Sequence, residues 1–405
     1  MKKPLLISLL VAFAFSCAKN SDEATDKANF VRIYDNEKFS ASFYPIDIKQ
    51  TPDGGFLILG ERKLADSTAQ ARDLSAPNFS GTYILKVDQF GAFVSQQELG
   101  ADKVNPIGPL LEANSKYYFF AMKPDTQTQL LEMDADGTIT KTSSVGGSYP
   151  AAAFIDDGNF LLLRYDNFSK QSVVSIVSPT GAVSKSKGFS VGAGDGVEGP
   201  IIKHFLRTGR QFPFLVGKVA NNQYFFNGFY NYTFSLVFTD LTGDTPQGVV
   251  QGQQTDGGFS SAMLLDGNRF AASLFNFNDN YFLPSITLNT SSTTGSITKL
   301  DGNPTLELAA NATIKIIAAT VNSKETLLYG TTTRNKQIVI YGYDKATGKF
   351  LGSRYLGFSN PFEIAAMTTT IDGGLAVCGT TYVAGRFPRI CLFKISKDEL
   401  AKSFK

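Results

Sequence analysis

Asp53-Gly54-Gly55-Phe56 is the first copy of a short turn that recurs along this chain of 405 residues. The other copies share an Asp, Asn or Thr followed by small or polar residues: Asn114-Ser115-Lys116-Tyr117, Asp157-Gly158-Asn159-Phe160, Thr208-Gly209-Arg210-Gln211, Asp266-Gly267-Asn268-Arg269-Phe270, Asn322-Ser323-Lys324-Glu325 and Asp372-Gly373-Gly374-Leu375. Their mean spacing is about 53 residues. In a β-rich chain this period indicates the blades of a propeller.

The residues around the first turn predict one complete blade. Strands are expected at 45–50 and 56–62, and two more at 82–88 and 93–99 after a long loop. The same order recurs, which places blades near 45–100, 105–145, 149–190, 199–252, 257–300, 305–357 and 361–400. The prediction is therefore an all-β fold, a seven-bladed β-propeller with four-stranded antiparallel blades.

The two chain ends decide how this ring closes. Only 399–405 follows the third strand of the last blade, whereas Phe30–Tyr34 forms an unassigned strand before the first. An open ring would leave an unpaired, hydrophobic edge. We therefore predict a propeller domain over 29–405 in which the N-terminal strand closes the last blade. The alternative is an unstructured linker before the first blade.

The first residues have the pattern of a secretory signal. Lys2 and Lys3 precede an apolar stretch, 5–15, that is too short to span a bilayer as a helix. Cys17 follows Ser16 at the boundary where the chain becomes polar. This segment resembles a bacterial lipoprotein signal, which implies a signal peptide at 1–16, a lipid on Cys17 and a tether at 17–28. The alternative is an ordinary cleaved signal with an incidental cysteine.

The tether carries a second resemblance. Asp22, Glu23 and Asp26 make it acidic, and it is similar to the export signals of surface lipoproteins in the Bacteroidota. The resemblance implies an outer-membrane location with a lipid anchor, facing either the periplasm or the cell surface. The membrane is then one predicted partner.

Composition argues against several classes of function. The formal net charge is +2 and there is no basic run, so we expect no nucleic-acid partner.

The single histidine, His204, rules out sites with several histidines. It lies in 201–206, predicted as an inner strand of the fourth blade, where a packed or channel-lining role is expected. Asp134-Ala135-Asp136-Gly137 is best explained as a turn. We expect no metal site and no cofactor.

The two remaining cysteines lie on predicted neighbouring strands of the last blade. In a hairpin that turns between residues 384 and 385, Cys378 and Cys391 would face each other directly. They are therefore candidates for a disulfide, which an oxidising compartment would favour. Two small buried hydrophobic side chains are the alternative.

Loops after the second strands are rich in aromatic, amide and arginine residues, which commonly bind sugars, peptides or protein surfaces. In a propeller these loops gather around the mouth of the central channel. The predicted face comprises Arg164, Tyr165, Tyr224, Phe226, Phe277, Tyr281, Arg334 and Arg386.

Taken together, the chain resembles exported seven-bladed propellers mounted on a lipoprotein anchor. The resemblance implies a binding or scaffold role towards an envelope or uptake-complex protein or a glycan. The turn motifs are structural and imply no activity. The alternative is a polysaccharide-active hydrolase or lyase that uses acidic residues at the channel mouth. No catalytic residue is assigned.

Overall fold

The computed structural model describes residues 28–35, 41–64, 79–192, 194–220, 222–357, 359–382 and 387–405. The strands of the first half are β1 (Phe30–Tyr34), β2 (Ala41–Gln50), β3 (Phe56–Leu64), β4 (Gly81–Val87), β5 (Phe93–Glu98), β6 (Val104–Ala113), β7 (Lys116–Met122), β8 (Thr128–Met133), β9 (Ile139–Ser144), β10 (Pro150–Asp156), β11 (Asn159–Asp166), β12 (Gln171–Val177) and β13 (Val183–Ser190). The second half contains β14 (Leu215–Ala220), β15 (Gln223–Tyr230), β16 (Thr233–Thr239), β17 (Gly248–Val250), β18 (Gly257–Asp266), β19 (Arg269–Asn276), β20 (Asp279–Thr287), β21 (Thr293–Thr294), β22 (Asn303–Pro304), β23 (Lys315–Val321), β24 (Lys324–Thr332), β25 (Ile338–Asp344), β26 (Phe350–Leu356), β27 (Phe362–Thr369), β28 (Leu375–Thr381) and β29 (Arg389–Ile395). The helices are α1 (Asp195–Phe205) and α2 (Lys397–Ser403), and Ile297–Lys299 forms a 3₁₀ turn.

Four-stranded antiparallel units follow one another along the chain. The strands β10 to β13 and β23 to β26 form sheets in sequence order, and β2 to β9 form two such units joined by the pair Gly81–Val104. Strand β22 pairs with β20 at the edge of its unit, and β21 adds a fifth strand beside β17. Side-by-side sheets of this kind, each repeating the same strand order, are a β-propeller architecture.

Strand β1 pairs with β29 and lies at the outer edge of the sheet that contains β27 to β29. Its C-terminal end is held by two polar contacts. The Tyr34 hydroxyl donates to the carbonyl of Gly91 (2.9 Å), and Arg389 Nε donates to Asp35 Oδ1 (2.5 Å). The first of these contacts joins the N-terminal strand to the unit formed by β2 to β5.

The first recurring turn has a specific chemistry. Asp53 Oδ1 accepts hydrogen bonds from the amide of Gly55 (3.0 Å) and the hydroxyl of Thr51 (2.5 Å). Gly54 has φ +83°, which glycine adopts without strain, and a Cβ on Gly55 would lie 2.4 Å from a backbone carbonyl. Lys86 reaches the turn from β4 and pairs with Asp53 at 2.9 Å. The sequence motif therefore encodes both the turn and an ion pair beneath it.

The turn before β28 repeats this chemistry. Gly373 has φ +78°, and Gly374 approaches a backbone carbonyl as closely as Gly55 does in the first turn. Lys394 pairs with Asp372 at 2.8 Å, and Thr370 donates to the same carboxylate at 2.5 Å. The same local sequence thus builds the same structure in two units that are far apart in the chain.

Each unit has two distinct ends. Connections between first and second strands gather at one end, the turn face, whose residues include 51–55, 114–115, 157–158, 267–268, 322–323 and 370–374. Connections between second and third strands gather at the other end, the loop face, whose described residues include 123–127, 167–170, 231–232, 277–278 and 333–337. Because the strands are antiparallel, the links from one unit to the next also lie at the loop face.

The unit formed by β14 to β17 begins differently from the prediction. His204 lies in helix α1 and not in a strand. Val197, Ile201 and Phe205 are buried and recur every fourth residue, which places them on one face of a helix. The prediction was wrong because the short apolar run at 201–206 has no periodicity that separates a strand from a buried helix.

The strand assignment after this helix changes as well. The first strand of the unit is not 201–206 but β14, which begins at Leu215. The turn to the second strand contains Asn222, which has φ +58°. The turn predicted at Thr208–Gln211 is therefore wrong, and these residues connect helix α1 to β14.

The two cysteines of the last unit are not bridged. Cys378 is paired with Leu392, and Cys391 is paired with Gly379, so the two thiols are one register position apart. Adjacent positions on a strand point to opposite faces of the sheet, and each cysteine packs in a different hydrophobic cluster. The predicted direct opposition is wrong because the hairpin does not turn symmetrically between them. Burial raises the pKa of both thiols.

The hydrophobic core is a series of clusters between neighbouring units. One cluster joins the first and last units, since it contains Phe43 and Ile58 together with Ala376 and Leu392. Second and third strands supply most of the fully buried side chains. This burial on both faces of a strand explains their near-continuous apolar sequences.

Candidate interaction face

Residues 194–214, which we call the cap segment, lie across part of the loop face between β13 and β14. Val197, Ile201 and Phe205 of helix α1 belong to one hydrophobic cluster. The same cluster contains residues at the loop-face ends of five consecutive units: Phe79, Val104, Tyr149, Phe229 and Phe275. The helix includes Gly196, Gly199 and Pro200, so tertiary packing rather than helix propensity stabilises it.

A salt bridge joins the C-terminal part of the cap segment to the first unit. Arg207 Nε lies 3.0 Å from Glu61 Oε2, and the Ser80 hydroxyl donates to the same carboxylate at 2.7 Å. Lys63 Nζ donates to the carbonyl of Arg207 at 3.1 Å. Glu61 is only 8% exposed, so these two partners replace the contacts with water that its carboxylate loses on burial.

Arg210 anchors the same segment to the unit formed by β18 to β20. Its Nη1 donates to the carbonyl of Thr255 (2.5 Å), and its guanidinium lies 4.3 Å from the ring centroid of Phe275. Burial lowers the pKa of Arg210, although the nearby Asp256 opposes this shift. The planar cation therefore combines a hydrogen bond with a cation–π contact.

His204 has a structural role in the cap segment. The amide of Phe212 donates to its Nδ1 at 2.9 Å, which requires that this nitrogen is unprotonated. Burial, with Arg207 nearby, lowers the pKa of His204 well below its usual range. The ring also packs against Phe205 and Phe214. Of the two predicted roles, packing is the one that the structure supports.

Three predicted loop residues lie in strands and are buried. Tyr165 lies in β11, and Tyr224 and Phe226 lie in β15. Tyr224 and Phe226 were assigned to a loop because the second strand of their unit was expected too early in the chain, whereas it is β15 (Gln223–Tyr230). In the preceding unit, β11 extends through Tyr165 to Asp166. Tyr165 stacks on Tyr149 beneath the cap segment. All three side chains belong to the hydrophobic core and do not form the surface of the loop face.

The other predicted residues are distributed more widely. Arg164 is half-buried beside Asp166, and burial lowers its pKa. Tyr281 is half-buried in β20, whereas Arg334 is exposed and its Nε donates to the carbonyl of Leu308 (3.2 Å). Phe277 is exposed in the turn between β19 and β20. Cys17 and Arg386 lie outside the described residues.

Three exposed aromatic side chains occupy the loop-face turns of consecutive units. Phe168 is 95% exposed, Phe277 is 61% exposed and Tyr232 is 46% exposed. We call these three residues the aromatic tips. Tyr232 was missed by the sequence analysis because the hairpin turn at Asn231-Tyr232 carries no glycine to mark it.

The turns hold the aromatic tips in defined positions. Asp166 Oδ1 accepts hydrogen bonds from the amides of Phe168 and Ser169, both at 3.0 Å. Tyr232 and Phe277 have φ +70° and +54°, a region in which bulky residues are uncommon. Such backbone strain costs about 1–3 kcal/mol and tends to persist at functional sites.

The charged groups near the aromatic tips are mostly paired within the chain. Asp166 lies 3.4 Å from Arg164, and Glu198 pairs with Lys170. Three further carboxylates elsewhere in the fold also contact lysines. Asp156 and Asp157 contact Lys218 at 2.5 and 3.0 Å, and Lys187 contacts Asp244 at 2.5 Å.

Two features of the described ranges bear on the predicted roles. No three His, Cys, Asp or Glu side chains of this part of the chain converge in a way that could hold a metal ion. In the same residues, neither helix is long and apolar enough to cross a lipid bilayer. The carboxylate of Asp134 accepts hydrogen bonds from the amides of Asp136 (3.0 Å) and Thr138 (2.9 Å), as its interpretation as a turn requires.

No protein-family model and no curated protein matches this sequence. Among solved structures, the chain is similar to a chain of a mitotic checkpoint complex, with 8% identity over 91% of this chain and 95% of that chain and a TM-score of 0.49. It is also similar to the β-propeller domain of the trilobed protease from Pyrococcus furiosus (8% identity, 87% and 93% covered, TM-score 0.43). The C-terminal WD40 domain of Sif2 is a further similar structure (10% identity, 87% and 84% covered, TM-score 0.42). Identities this low carry no information about ligands or activity.

Proposed function

We propose that this protein is an exported, lipid-anchored β-propeller that binds a partner protein through its aromatic tips. The observation that carries the proposal is the presence of Phe168, Tyr232 and Phe277 at three consecutive loop-face turns, all exposed and two in strained backbone. Exposed aromatic patches of this kind commonly mark interaction sites. Aromatic anchors that become buried in a partner typically contribute about 2 kcal/mol or more each.

The shape of the tips favours a protein over a glycan as the partner. Phe168 projects from a turn with 95% of its surface exposed, so it can enter a pocket on another molecule. A glycan would require a concave platform on this side of the interface. Because nearby charges such as Lys170 and Glu198 are paired internally, the partner surface is expected to be apolar and weakly charged.

We further propose a ring of seven blades over 29–405. Counting β2 to β5 and β6 to β9 as separate units gives seven four-stranded groups, with β1 as the outer strand of the last. The first strands of these groups contact one another in succession, and β27 contacts β2. The pairing of β1 with β29 supports closure by the N-terminal strand, since it leaves that edge covered.

The position of β1 also gives the anchor an orientation. Phe30 is opposite Lys394, near the turn-face end of β29, and the chain enters the domain there. If residues 1–16 are a signal peptide and 17–28 are a tether lipidated at Cys17, the turn face is the side nearer the membrane. The loop face and its aromatic tips then point away from the outer membrane, where a protein partner can reach them.

The proposal is tested by quantitative capture from envelope fractions. The full chain and its Phe168→Ala/Tyr232→Ala/Phe277→Ala variant are compared by mass spectrometry of crosslinked proteins. A matched control replaces three exposed aromatic residues elsewhere, Phe90, Phe93 and Phe350. A partner that is lost only with the tip variant supports the proposal. Equal loss in both variants, or unchanged capture by the tip variant, contradicts it.

A further inference from the structure

A small cleft lies on the outer side of the unit formed by β14 to β17. It has a volume of about 260 Å³ and is lined in part by Tyr230, Asn231, Gln251 and Thr293. Strand β21 builds one wall, because it crosses from the next unit and pairs in parallel with β17. This fifth strand departs from the four-stranded repeat.

The polar side chains that line this cleft have unused hydrogen-bonding capacity. Within the described residues, no side-chain hydrogen bond is formed by Tyr230, Asn231, Thr245, Gln251 or Thr293. By contrast, the neighbouring Gln223 and Gln247 side chains bond each other at 2.9 Å. Five neutral donors and acceptors therefore face one cleft without a protein partner in this part of the chain.

The remaining lining is apolar or uncharged. Pro246 and Val249 contribute hydrocarbon surface, and none of the described residues that line the cleft is charged. The ring of Tyr230 is held from one side by an edge contact with Phe189, with ring centroids 6.4 Å apart. Aromatic and aliphatic surface together with amides and hydroxyls suits a ligand with both C–H faces and neutral hydroxyl groups.

We propose that this cleft binds a neutral carbohydrate unit, one sugar ring in size. The volume lies below the roughly 300–1,000 Å³ of sites for drug-sized ligands. A phosphate or carboxylate ligand would need a cationic partner, and the described lining residues include none. This site goes beyond the proposed protein interface and does not depend on it.

The test uses saturation-transfer NMR on the full chain in a detergent without a sugar headgroup. The probes are the methyl glycosides of glucose, galactose, mannose and N-acetylglucosamine, with glucuronate as an anionic comparison. At least one neutral glycoside is expected to bind with millimolar affinity, and more tightly than glucuronate. Lack of binding by all four, or tighter binding of glucuronate, would overturn the proposal.

Three variants locate the binding. Thr293→Val keeps the shape of the side chain and removes its hydroxyl, and Gln251→Ala removes an amide. Asn231→Gly removes an amide and is compatible with the φ of +44° at this position. Each is expected to weaken binding about two- to tenfold, as the loss of one neutral hydrogen bond predicts.

Two controls separate this site from the protein interface. Gln89→Ala alters an exposed glutamine on the turn face of another unit and should leave glycoside affinity unchanged. The aromatic-tip variant should also retain it, while Thr293→Val and Gln251→Ala, which lie outside the turn that holds Tyr232, should retain partner capture. Unchanged affinity in all three cleft variants, with melting temperatures equal to that of the parent, would show that the glycoside binds elsewhere.

Discussion

Removing Asp53 should destabilise the protein more than removing its partner Lys86. The two side chains form one ion pair at 2.9 Å, but Lys86 is 2% exposed and Asp53 is 58% exposed. When a partner is removed, the cost depends mainly on the charge that is left behind. Asp53→Asn leaves a buried ammonium, whereas Lys86→Met leaves a carboxylate that water can solvate.

The contacts of each group give the magnitudes. In Asp53→Asn, Lys86 keeps the Thr51 hydroxyl at 2.6 Å as a partner but loses the carboxylate, so we expect a loss of about 3 kcal/mol or more. In Lys86→Met, Asp53 keeps its hydrogen bonds from Thr51 and Gly55, and the expected loss is about 1 kcal/mol. The double variant should be more stable than Asp53→Asn alone because it contains no buried charge.

Urea denaturation followed by circular dichroism measures these differences. Urea is preferred to guanidinium because it does not screen charge. The equivalent pair in the last unit provides an internal replicate, since Lys394 is 6% exposed and Asp372 is 53% exposed. The reasoning would be refuted if Lys86→Met were as unstable as Asp53→Asn, or if the effects of the two substitutions were additive.

The pair also predicts how stability depends on pH. Partial burial opposes ionisation of Asp53, but hydrogen bonds from Thr51 and Lys86 outweigh it and lower its pKa to about 2. An unfolded aspartate has a pKa of about 3.9, which is higher than the pKa of Asp53 in the folded protein. Ionisation of Asp53 therefore stabilises the folded state, and the full stabilisation is present above the pKa of the unfolded aspartate. This stabilisation should be lost as the pH falls towards 2. The free energy of unfolding of Asp53→Asn should therefore depend less on pH between about 3.9 and 2 than that of the parent.

Further predictions concern the anchor, the N-terminal strand, the cap segment and the cysteines. Cys17→Ser should release the protein from membranes, because acyl chains contribute about 0.8 kcal/mol per buried CH₂; a variant that still pellets with membranes after a salt wash would contradict lipidation. Deletion of residues 29–36 should lower the melting temperature and cause aggregation, since it uncovers the edge of β29; a deletion variant as stable as the parent would exclude closure by β1. Arg207→Met should lower the free energy of unfolding by about 3 kcal/mol, because the buried Glu61 carboxylate keeps the Ser80 hydroxyl but loses its cationic partner. Lys170→Met, which removes a more exposed partner, should cost less than about 1 kcal/mol, and equal urea midpoints would contradict a buried salt bridge. A reducing agent should leave the melting temperature unchanged because Cys378 and Cys391 are not bridged; a clear decrease would show that they are.

Local sequence determined the parts of this structure that depend on short-range chemistry. The Asp53-Gly54-Gly55 turn could be predicted because its glycines are required by the positive φ of one and the close backbone approach of the other. The strands that follow such turns could be predicted from their continuous apolar runs. Phe30–Tyr34 is likewise a strand in the structure. The turn spacing also indicated the repeat of four-stranded units, since every predicted turn except Thr208–Gln211 joins the first and second strands of a unit.

Tertiary structure decided the features that depend on register and on contacts between units. Cys378 and Cys391 differ from direct opposition by one residue, because the register of β28 and β29 is centred on residue 385, and the sequence positions of the two cysteines do not determine that register. Helix α1 contains glycines and a proline, and it is stable as a helix because five units bury its apolar face. Tyr224 and Phe226 are core residues and Tyr232 is exposed, although all three lie within nine residues of one another. An aromatic side chain is equally compatible with a core and with a binding surface, so only the packing of neighbouring sheets determined which of these residues remain exposed.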